Sequence, residues 1–120
     1  MVMKIISNII GFILLIIAVV LIIPITLFNM FFVWKKYGSI DGYFRNTALN
    51  IDIWANSEFR AFWNGAMRKK NGYEFGKVGE TISSALGKNE RDKTLSNTGK
   101  LLVKILDFLD KNHCQKSMKD

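Results

Sequence analysis

Two adjacent residues near the carboxyl end, His113 and Cys114, are the clearest candidates for chemistry in this sequence. An imidazole and a thiol can bind zinc, or can act together as a nucleophile and its base. A zinc site needs about four ligands, and the chain has no other histidine or cysteine. A nucleophile pair is usually assembled from separate elements, because neighbours on a helix point about 100° apart. We therefore predict no metal, no cofactor and no catalytic role for this pair, and we expect His113 to terminate the last helix, where an imidazole suits the exposed carbonyls.

A second group of polar residues consists of Glu80, Thr81 and Ser83. These three residues stand at the predicted start of a short helix, where a carboxylate and hydroxyls accept hydrogen bonds from unpaired N–H groups. We interpret them as capping residues. A hydrolytic role would need a base and an oxyanion site, and the sequence indicates neither. We therefore do not expect this protein to be an enzyme.

Both groups belong to two short motifs. The motifs are Gly79-Glu80-Thr81-Ile82-Ser83-Ser84 and Leu106-Asp107-Phe108-Leu109-Asp110-Lys111-Asn112-His113-Cys114-Gln115-Lys116-Ser117. Through them, residues 51–117 resemble a family of small proteins encoded by tailed bacteriophages and prophages, although Gly79 stands where that family has an acid. The resemblance implies a phage origin. It assigns no role to the motif residues, which are Glu80, Thr81, Ser83, His113 and Cys114.

The element with the strongest signal is an apolar run near the amino terminus. Residues 5–34 contain no charged side chain and are dense in Ile, Leu, Val and Phe, whereas a membrane span needs roughly twenty residues. The run exceeds the apolar core of a signal peptide, about 7–15 residues, and is too short for two spans. A domain this small could not bury a helix that is apolar on every face. We predict one transmembrane helix over about residues 9–28, within a membrane anchor of residues 1–37.

The end of this anchor carries residues suited to the membrane interface. Aromatic rings favour the interfacial belt and lysines favour anionic headgroups, and the residues concerned are Trp34, Lys35, Lys36 and Tyr37. Lys4 stands alone before the span, whereas Lys35, Lys36 and Arg45 follow it. Because basic residues stay on the cytoplasmic side, we predict a single-pass protein of the bacterial (host) inner membrane with a cytoplasmic C-terminal domain. A single cysteine also fits a reducing compartment.

The part of the chain after the span is basic. The sequence has 17 Lys and Arg against 10 Asp and Glu, and only Lys4 precedes the apolar run. Basic groups held near a bilayer are attracted to anionic headgroups. The positive residues are interspersed with acids and form no dense stripe of the kind that binds nucleic acid. We expect the partners to be the lipid bilayer, a host or phage membrane protein, or a second copy of the chain, and we rank nucleic acid below them.

The predicted fold is all-α, with a single N-terminal transmembrane helix followed by a small basic helical domain over residues 38–120. In that domain, one helix is predicted over residues 51–67, with Asn50 or Asp52 as its N-cap. A short helix over residues 80–86 is expected to end at Gly87. Residues 88–93 are expected to form a solvated, charged linker.

The clearest amphipathic helix begins at Thr98, with Asn97 or Thr98 as its cap. Five apolar side chains recur on one face at helical spacing, and they are Leu101, Leu102, Ile105, Leu106 and Leu109. A second apolar cluster consists of Trp54, Phe59, Phe62 and Trp63. The sequence allows this cluster to pack in a core or to lie in the headgroup region of the bilayer.

These features favour a phage-type membrane-anchored protein that acts by protein or membrane interaction, without catalysis. One alternative is a holin-like pore-forming or lysis accessory protein, in which polar anchor residues join copies of the helix. Those residues are Ser7, Asn8, Gly11 and Asn29. A second alternative is a membrane-tethered nucleic-acid binder.

Overall fold

The computed structural model describes residues 1–119 and confirms the all-α prediction. Within these residues there are six helices, no β-strand, and a single isolated bridge between Arg68 and Leu95. The helices are α1 (Val2–Tyr37), α2 (Tyr43–Glu58), α3 (Arg60–Ala66), α4 (Ile82–Arg91), α5 (Asn97–Leu109) and α6 (His113–Ser117). The chain forms two compact units, of which the first ends at Phe44 and the second begins at Arg45. We call the second unit the helical domain.

Helix α1 contains the predicted span and continues beyond both of its ends. It has 36 residues, none of them buried, and would be about 54 Å long against a hydrocarbon layer of about 30 Å. It is the one helix among residues 1–119 that is long and apolar enough to cross a membrane. Pro24 lies inside the helix without ending it. The prediction of a single long apolar N-terminal helix is therefore confirmed.

A tight reversal of the chain follows α1. Gly38 ends the helix in the left-handed conformation, with φ of 74°, and its N–H donates to the carbonyl of Trp34 at 2.7 Å. Glycine adopts this conformation without the penalty that a Cβ would impose. After the reversal, the Asn29 side-chain amide donates to the hydroxyl of Tyr43 at 2.9 Å. Asn29, one of the polar residues that the holin-like alternative places between copies of the anchor, thus has a hydrogen-bond partner within the chain.

The helix predicted over residues 51–67 is in fact two helices, and its predicted caps are wrong. Helix α2 begins at Tyr43, and the break before α3 falls at Phe59, whose φ and ψ of −106° and 26° are not helical. Asp52 lies inside α2, so it cannot cap its own helix. Its carboxylate instead accepts the backbone N–H of Ile82 at 2.7 Å, at the start of α4. A local pattern cannot reveal that partner, which lies thirty residues away.

Helix α4 begins at Ile82, two residues after the predicted start, and ends later than predicted. Thr81 is its N-cap and accepts the N–H of Ser84 at 2.9 Å, which confirms the capping interpretation for this residue. The interpretation is wrong for Glu80 and Ser83, whose side chains bond to other side chains and not to N–H groups of the helix. The helix then runs through Gly87 to Arg91, so the prediction that Gly87 ends it was wrong. The predicted solvated linker was also wrong at its start, because Lys88 and Asn89 are buried. Gly87 is a position of close packing, since a Cβ there would contact the carbonyl of Cys114 on α6.

Helix α5 buries a different stripe from the one that we predicted. Its N-cap is Ser96, one residue before the predicted caps, and Ser96 Oγ accepts the N–H of Gly99 at 3.0 Å. The buried side is centred on Val103, with Leu102 and Leu106 packed beside it. The remaining three predicted residues stay exposed, and they are Leu101, Ile105 and Leu109. The core of the domain is completed by Met67, Phe75, Ala85, Leu86, Leu95 and Cys114.

His113 begins a helix and does not end one. Helix α5 stops at Leu109, and Asn112 in the left-handed conformation, with φ of 58°, turns the chain into α6. The prediction that His113 terminates the last helix was therefore wrong. The turn brings the imidazole to α4.

Candidate functional site

The two sequence motifs, thirty residues apart, meet where α6 packs against α4. His113 Nε2 lies 3.0 Å from Ser83 Oγ, and His113 Nδ1 lies 3.0 Å from a carboxylate oxygen of Asp110. Ser83 Oγ also donates to the carboxylate of Asp52, at 3.3 Å. A continuous row of hydrogen-bonding groups therefore runs from Asp52 on α2 through Ser83 and His113 to Asp110. We call these four residues the histidine row.

The two carboxylates of this row have different environments. Burial raises the pKa of Asp52, against the opposing effects of the Ile82 N–H, the Ser83 hydroxyl and His113. Asp110 is more exposed, and hydrogen bonds from Lys116 and His113 lower its pKa to about 2. Lys116 Nζ is 2.8 Å from Asp110. Asp110 is therefore ionised at neutral pH and holds the imidazole from its Nδ1 side.

An Asp–His–Ser order of contacts is also the order found in serine hydrolases. Catalysis would further require an accessible serine and free N–H donors for the oxyanion. Ser83 is only 4% exposed. At the start of α4, the N–H of Ile82 donates to Asp52 and that of Ser84 donates to Thr81. The hydrogen bonds of the histidine row are therefore well suited to hold α2, α4 and α6 together.

Glu80 and Lys88 form a buried ion pair beside this row. Glu80 Oε2 lies 2.7 Å from Lys88 Nζ and accepts from Ser84 Oγ at 2.8 Å, and Oε1 accepts from the Tyr73 hydroxyl at 2.9 Å. Burial alone would raise the pKa of Glu80, but the hydrogen bonds from Lys88, Ser84 and Tyr73 outweigh it and lower that pKa. Burial would likewise lower the pKa of Lys88, and its bonds to Glu80 and Tyr73 raise it. Both groups are therefore charged at neutral pH, each satisfied by the other.

Three asparagines hold the loop over residues 71–80, and sequence reasoning missed them. The Asn64 side chain accepts from the N–H of Phe75 at 2.7 Å and donates to its carbonyl at 3.1 Å. Asn89 pairs in the same way with Tyr73, at 2.8 Å and 3.0 Å. Asn56 donates to the carbonyl of Glu80 at 2.8 Å and accepts from the N–H of Gly76 at 3.2 Å. These amides replace the backbone pairing that the loop lacks, a role that only the i, i+8 spacing of Asn56 and Asn64 could have suggested.

Cys114 lies in the core, where its chemistry is suppressed. Its side chain is fully buried. Burial, together with the nearby carboxylates of Asp107, Glu90 and Asp52, raises the pKa of the thiol to about 12. The thiolate is the form that attacks carbon or binds metal, so the native environment disfavours both reactions. Over residues 1–119, no three His, Cys, Asp or Glu side chains are grouped to hold a metal ion.

The surface of the helical domain carries many exposed apolar side chains. Of the aromatic cluster on α2 and α3, only Trp63 packs against the core, whereas Trp54 and Phe62 are 56% and 60% exposed. On α5, Phe108 is 88% exposed and lies among the three leucine and isoleucine residues left outside the core. We call Leu101, Ile105, Phe108 and Leu109 the exposed α5 face.

The predicted interface residues occupy the last turn of α1. Lys35 and Lys36 lie in that turn, where a positive charge suits the carbonyl end of the helix. The Lys36 ammonium is 5.2 Å from the centre of the Tyr37 ring. Trp34 and Tyr37 are both exposed. The residues thus combine aromatic and basic side chains at one end of the candidate span.

Comparisons with protein-family models, with curated proteins and with solved structures found no match for this chain.

Proposed function

We propose that this chain is a phage-type, single-span protein of the bacterial inner membrane, and that its helical domain acts by binding a protein or membrane partner and not by catalysis. The observation that carries the proposal is α1, a helix of 36 residues with no buried side chain. An apolar helix of this length, left uncovered by its own chain, is stable where lipid covers it. The phage assignment rests on the resemblance of the two motifs.

Two features of the helical domain support a binding role. The polar motif residues make their hydrogen bonds within the domain: Glu80 bonds to Lys88, Ser83 contacts His113, and Thr81 caps α4. By contrast, many apolar side chains of the domain lie outside the core and are exposed. Contiguous exposed apolar residues mark surfaces that bind other proteins or membranes. The exposed apolar side chains on α2, α3 and α5 are available for such contacts.

The proposed orientation places the helical domain in the cytoplasm and rests on the basic residues after the span. Reporter fusions test it. A fluorescent protein and an alkaline phosphatase would each be fused to Met1 and to Asp120 of the full chain in a bacterial host. We expect fluorescence from the carboxyl-terminal fusion and phosphatase activity from the amino-terminal one. The reverse pattern would overturn the cytoplasmic assignment and direct the search for partners to the periplasm.

A second candidate function, hydrolysis through Ser83, is favoured by the contact order of the histidine row. The test is labelling of the full chain, in detergent micelles, with a fluorophosphonate that reacts with activated serines. Binding without catalysis predicts no label on Ser83. A label that is lost in both Ser83→Ala and His113→Gln, but kept in the control Ser117→Ala, would establish the hydrolase instead.

A further inference from the structure

An open cavity of about 660 Å³ lies along α5, away from the histidine row. One side of the helix, at the spacing i, i+3, i+4, i+7 and i+8, forms one wall. The lining comprises four lysines, two acids and three apolar residues, which are Lys69, Lys93, Lys100, Lys104, Glu90, Asp107, Leu95, Val103 and Phe108. The cavity therefore brings ammonium groups and apolar side chains together.

The cavity carries a net positive charge, because its four lysines outnumber its two acids. Within residues 1–119, none of its four lysine side chains has an ion pair or a hydrogen bond to another residue. The two acids accept from neutral donors and form no ion pair with these lysines: Glu90 accepts from the Gln115 side-chain amide at 2.6 Å, and Asp107 accepts from the Cys114 N–H at 3.3 Å. The ammonium groups are therefore available to an anion.

The apolar part of the cavity continues onto the surface. Leu95 and Val103 are each 3% exposed and form the floor. Phe108 lines the cavity and is 88% exposed. It also belongs to the exposed α5 face, so an apolar path leads from the cavity to Leu101 and Ile105. A ligand that fits must be anionic at one end and apolar at the other.

We propose that this cavity binds the phosphate headgroup of an anionic phospholipid, with the acyl chains lying over Phe108 and the exposed α5 face. Lysines attract phosphate groups as point charges, and an amphipathic helix with lysines beside an apolar face binds at anionic interfaces. A polyanion such as nucleic acid would match the lysines and leave the apolar path unexplained. The inference rests on the proposed function, because the span delivers the domain to a bilayer.

The test measures the reactivity of individual lysines in the full chain. The protein would be reconstituted in nanodiscs of phosphatidylcholine alone, or of an equal mixture with phosphatidylglycerol, and acylated briefly before mass spectrometry. We expect Lys69, Lys93, Lys100 and Lys104 to react about fivefold more slowly in the anionic nanodiscs, the factor that corresponds to about 1 kcal/mol for a lysine at an anionic surface. The controls are Lys70 and Lys111, which are exposed and lie outside the cavity; they should change much less.

Paired variants sharpen the assignment to the cavity. In Lys100→Gln/Lys104→Gln, we expect Lys69 and Lys93 to lose their protection by the anionic lipid. The matched variant Lys70→Gln/Lys111→Gln removes the same charge outside the cavity and should keep it. Equal protection of cavity and control lysines would mean non-specific adsorption of a basic domain and would overturn the proposal.

Added ligands distinguish the source of the phosphate. Glycerol phosphate or single-stranded DNA, added to neutral nanodiscs, should not reproduce the protection. If either one does, the cavity is a site for a free phosphate or for nucleic acid, and the lipid assignment fails. If the chain inserts into both kinds of nanodisc and none of the cavity lysines is protected, the lipid-binding role of the cavity is wrong and the proposed function stands. If the chain does not insert, the proposed function is wrong.

Discussion

At the scale of single residues, the buried pair of Glu80 and Lys88 is the contact whose loss should cost the most. We predict that Lys88→Met destabilises the helical domain by about 3 kcal/mol, because it leaves a buried carboxylate without its counter-ion. The free energy of unfolding would be measured in urea, on the full chain in detergent micelles, by tryptophan fluorescence. The exposed substitution Lys111→Met should change it by less than about 0.5 kcal/mol.

A double variant separates the pair from its surroundings. Glu80→Gln/Lys88→Met removes both charges and keeps a hydrogen-bonding group near Tyr73, so we expect it to be more stable than Lys88→Met alone. The stability losses of Glu80→Gln and Lys88→Met would each be measured alone. If the loss in the double variant equals the sum of these two losses, the residues contribute independently and the ion pair is not the reason for their burial.

The same pair gives the domain a defined pH window. The pKa of Glu80 is held below its ordinary value of 4.5 and that of Lys88 above its ordinary value of 10.5. The contribution of the pair is therefore complete between these values. It falls as the pH drops below 4.5, because the unfolded state then binds more protons, and it falls again as the pH rises above 10.5.

Cys114 supplies a residue-scale prediction about accessibility. Because the thiol is buried and its pKa is raised to about 12, we expect iodoacetamide at pH 8 to modify it only as fast as the domain opens. Mass spectrometry of the folded chain, with and without urea, measures this rate. Rapid modification without urea would show that α6 does not cover the thiol, and would reopen a role for it as a nucleophile.

At the scale of elements, the junction of α4 and α6 depends on Gly87. A Cβ at this position would lie 2.8 Å from Met118 Cγ and would also contact the Cys114 carbonyl. We predict that Gly87→Ala destabilises the domain by roughly 1–3 kcal/mol through overpacking. The measurement is urea unfolding in micelles.

The matched control is another helical glycine. Gly65 lies in α3, with no atom near the position of its added Cβ, so Gly65→Ala should stabilise the helix by about 0.5–1 kcal/mol. If both substitutions change the stability in the same direction, helix propensity dominates and the close packing of α4 on α6 is not as described.

The sequence predicted the elements whose signals are local and missed those that depend on tertiary contacts. The uncharged run identified α1, and Thr81 identified the start of α4, because hydropathy and capping act within a few residues. Gly87 was misread because a glycine that ends a helix and a glycine that admits a neighbouring chain look alike in one sequence. The stripe on α5 was half wrong because the helix buries Val103, and its exposed leucines are indistinguishable from core residues by periodicity alone.

The candidate site was less predictable than the fold. Glu80, Ser83 and His113 were selected as polar residues, but their partners Lys88, Asp52 and Asp110 are set by the packing of α2, α4 and α6. Asn89, which holds the loop, carries no local signal beyond its type, and Asn64 carries only its i, i+8 spacing from Asn56. The sequence identified these residues as polar candidates. Only the fold shows that together they hold α2, α4 and α6 against one another.

At the scale of the whole molecule, we propose that the span and the basic helical domain function together at a bilayer. In this proposal α1 places the domain at the membrane, and the domain presents an apolar and lysine-bearing surface. The central claim is therefore that α1 crosses the membrane and holds the domain there.

The measurement that tests this claim most directly is flotation of alkaline-washed membranes from bacteria that express the full chain. We predict that the chain floats with lipid, and that Ile16→Lys/Ile17→Lys does not, because each lysine at the centre of a span costs roughly 2.5–3.5 kcal/mol. The control Phe108→Lys/Leu109→Lys adds the same charges outside α1 and should float. Recovery of the unmodified chain in the soluble fraction, or flotation of the Ile16→Lys/Ile17→Lys variant, would contradict the account.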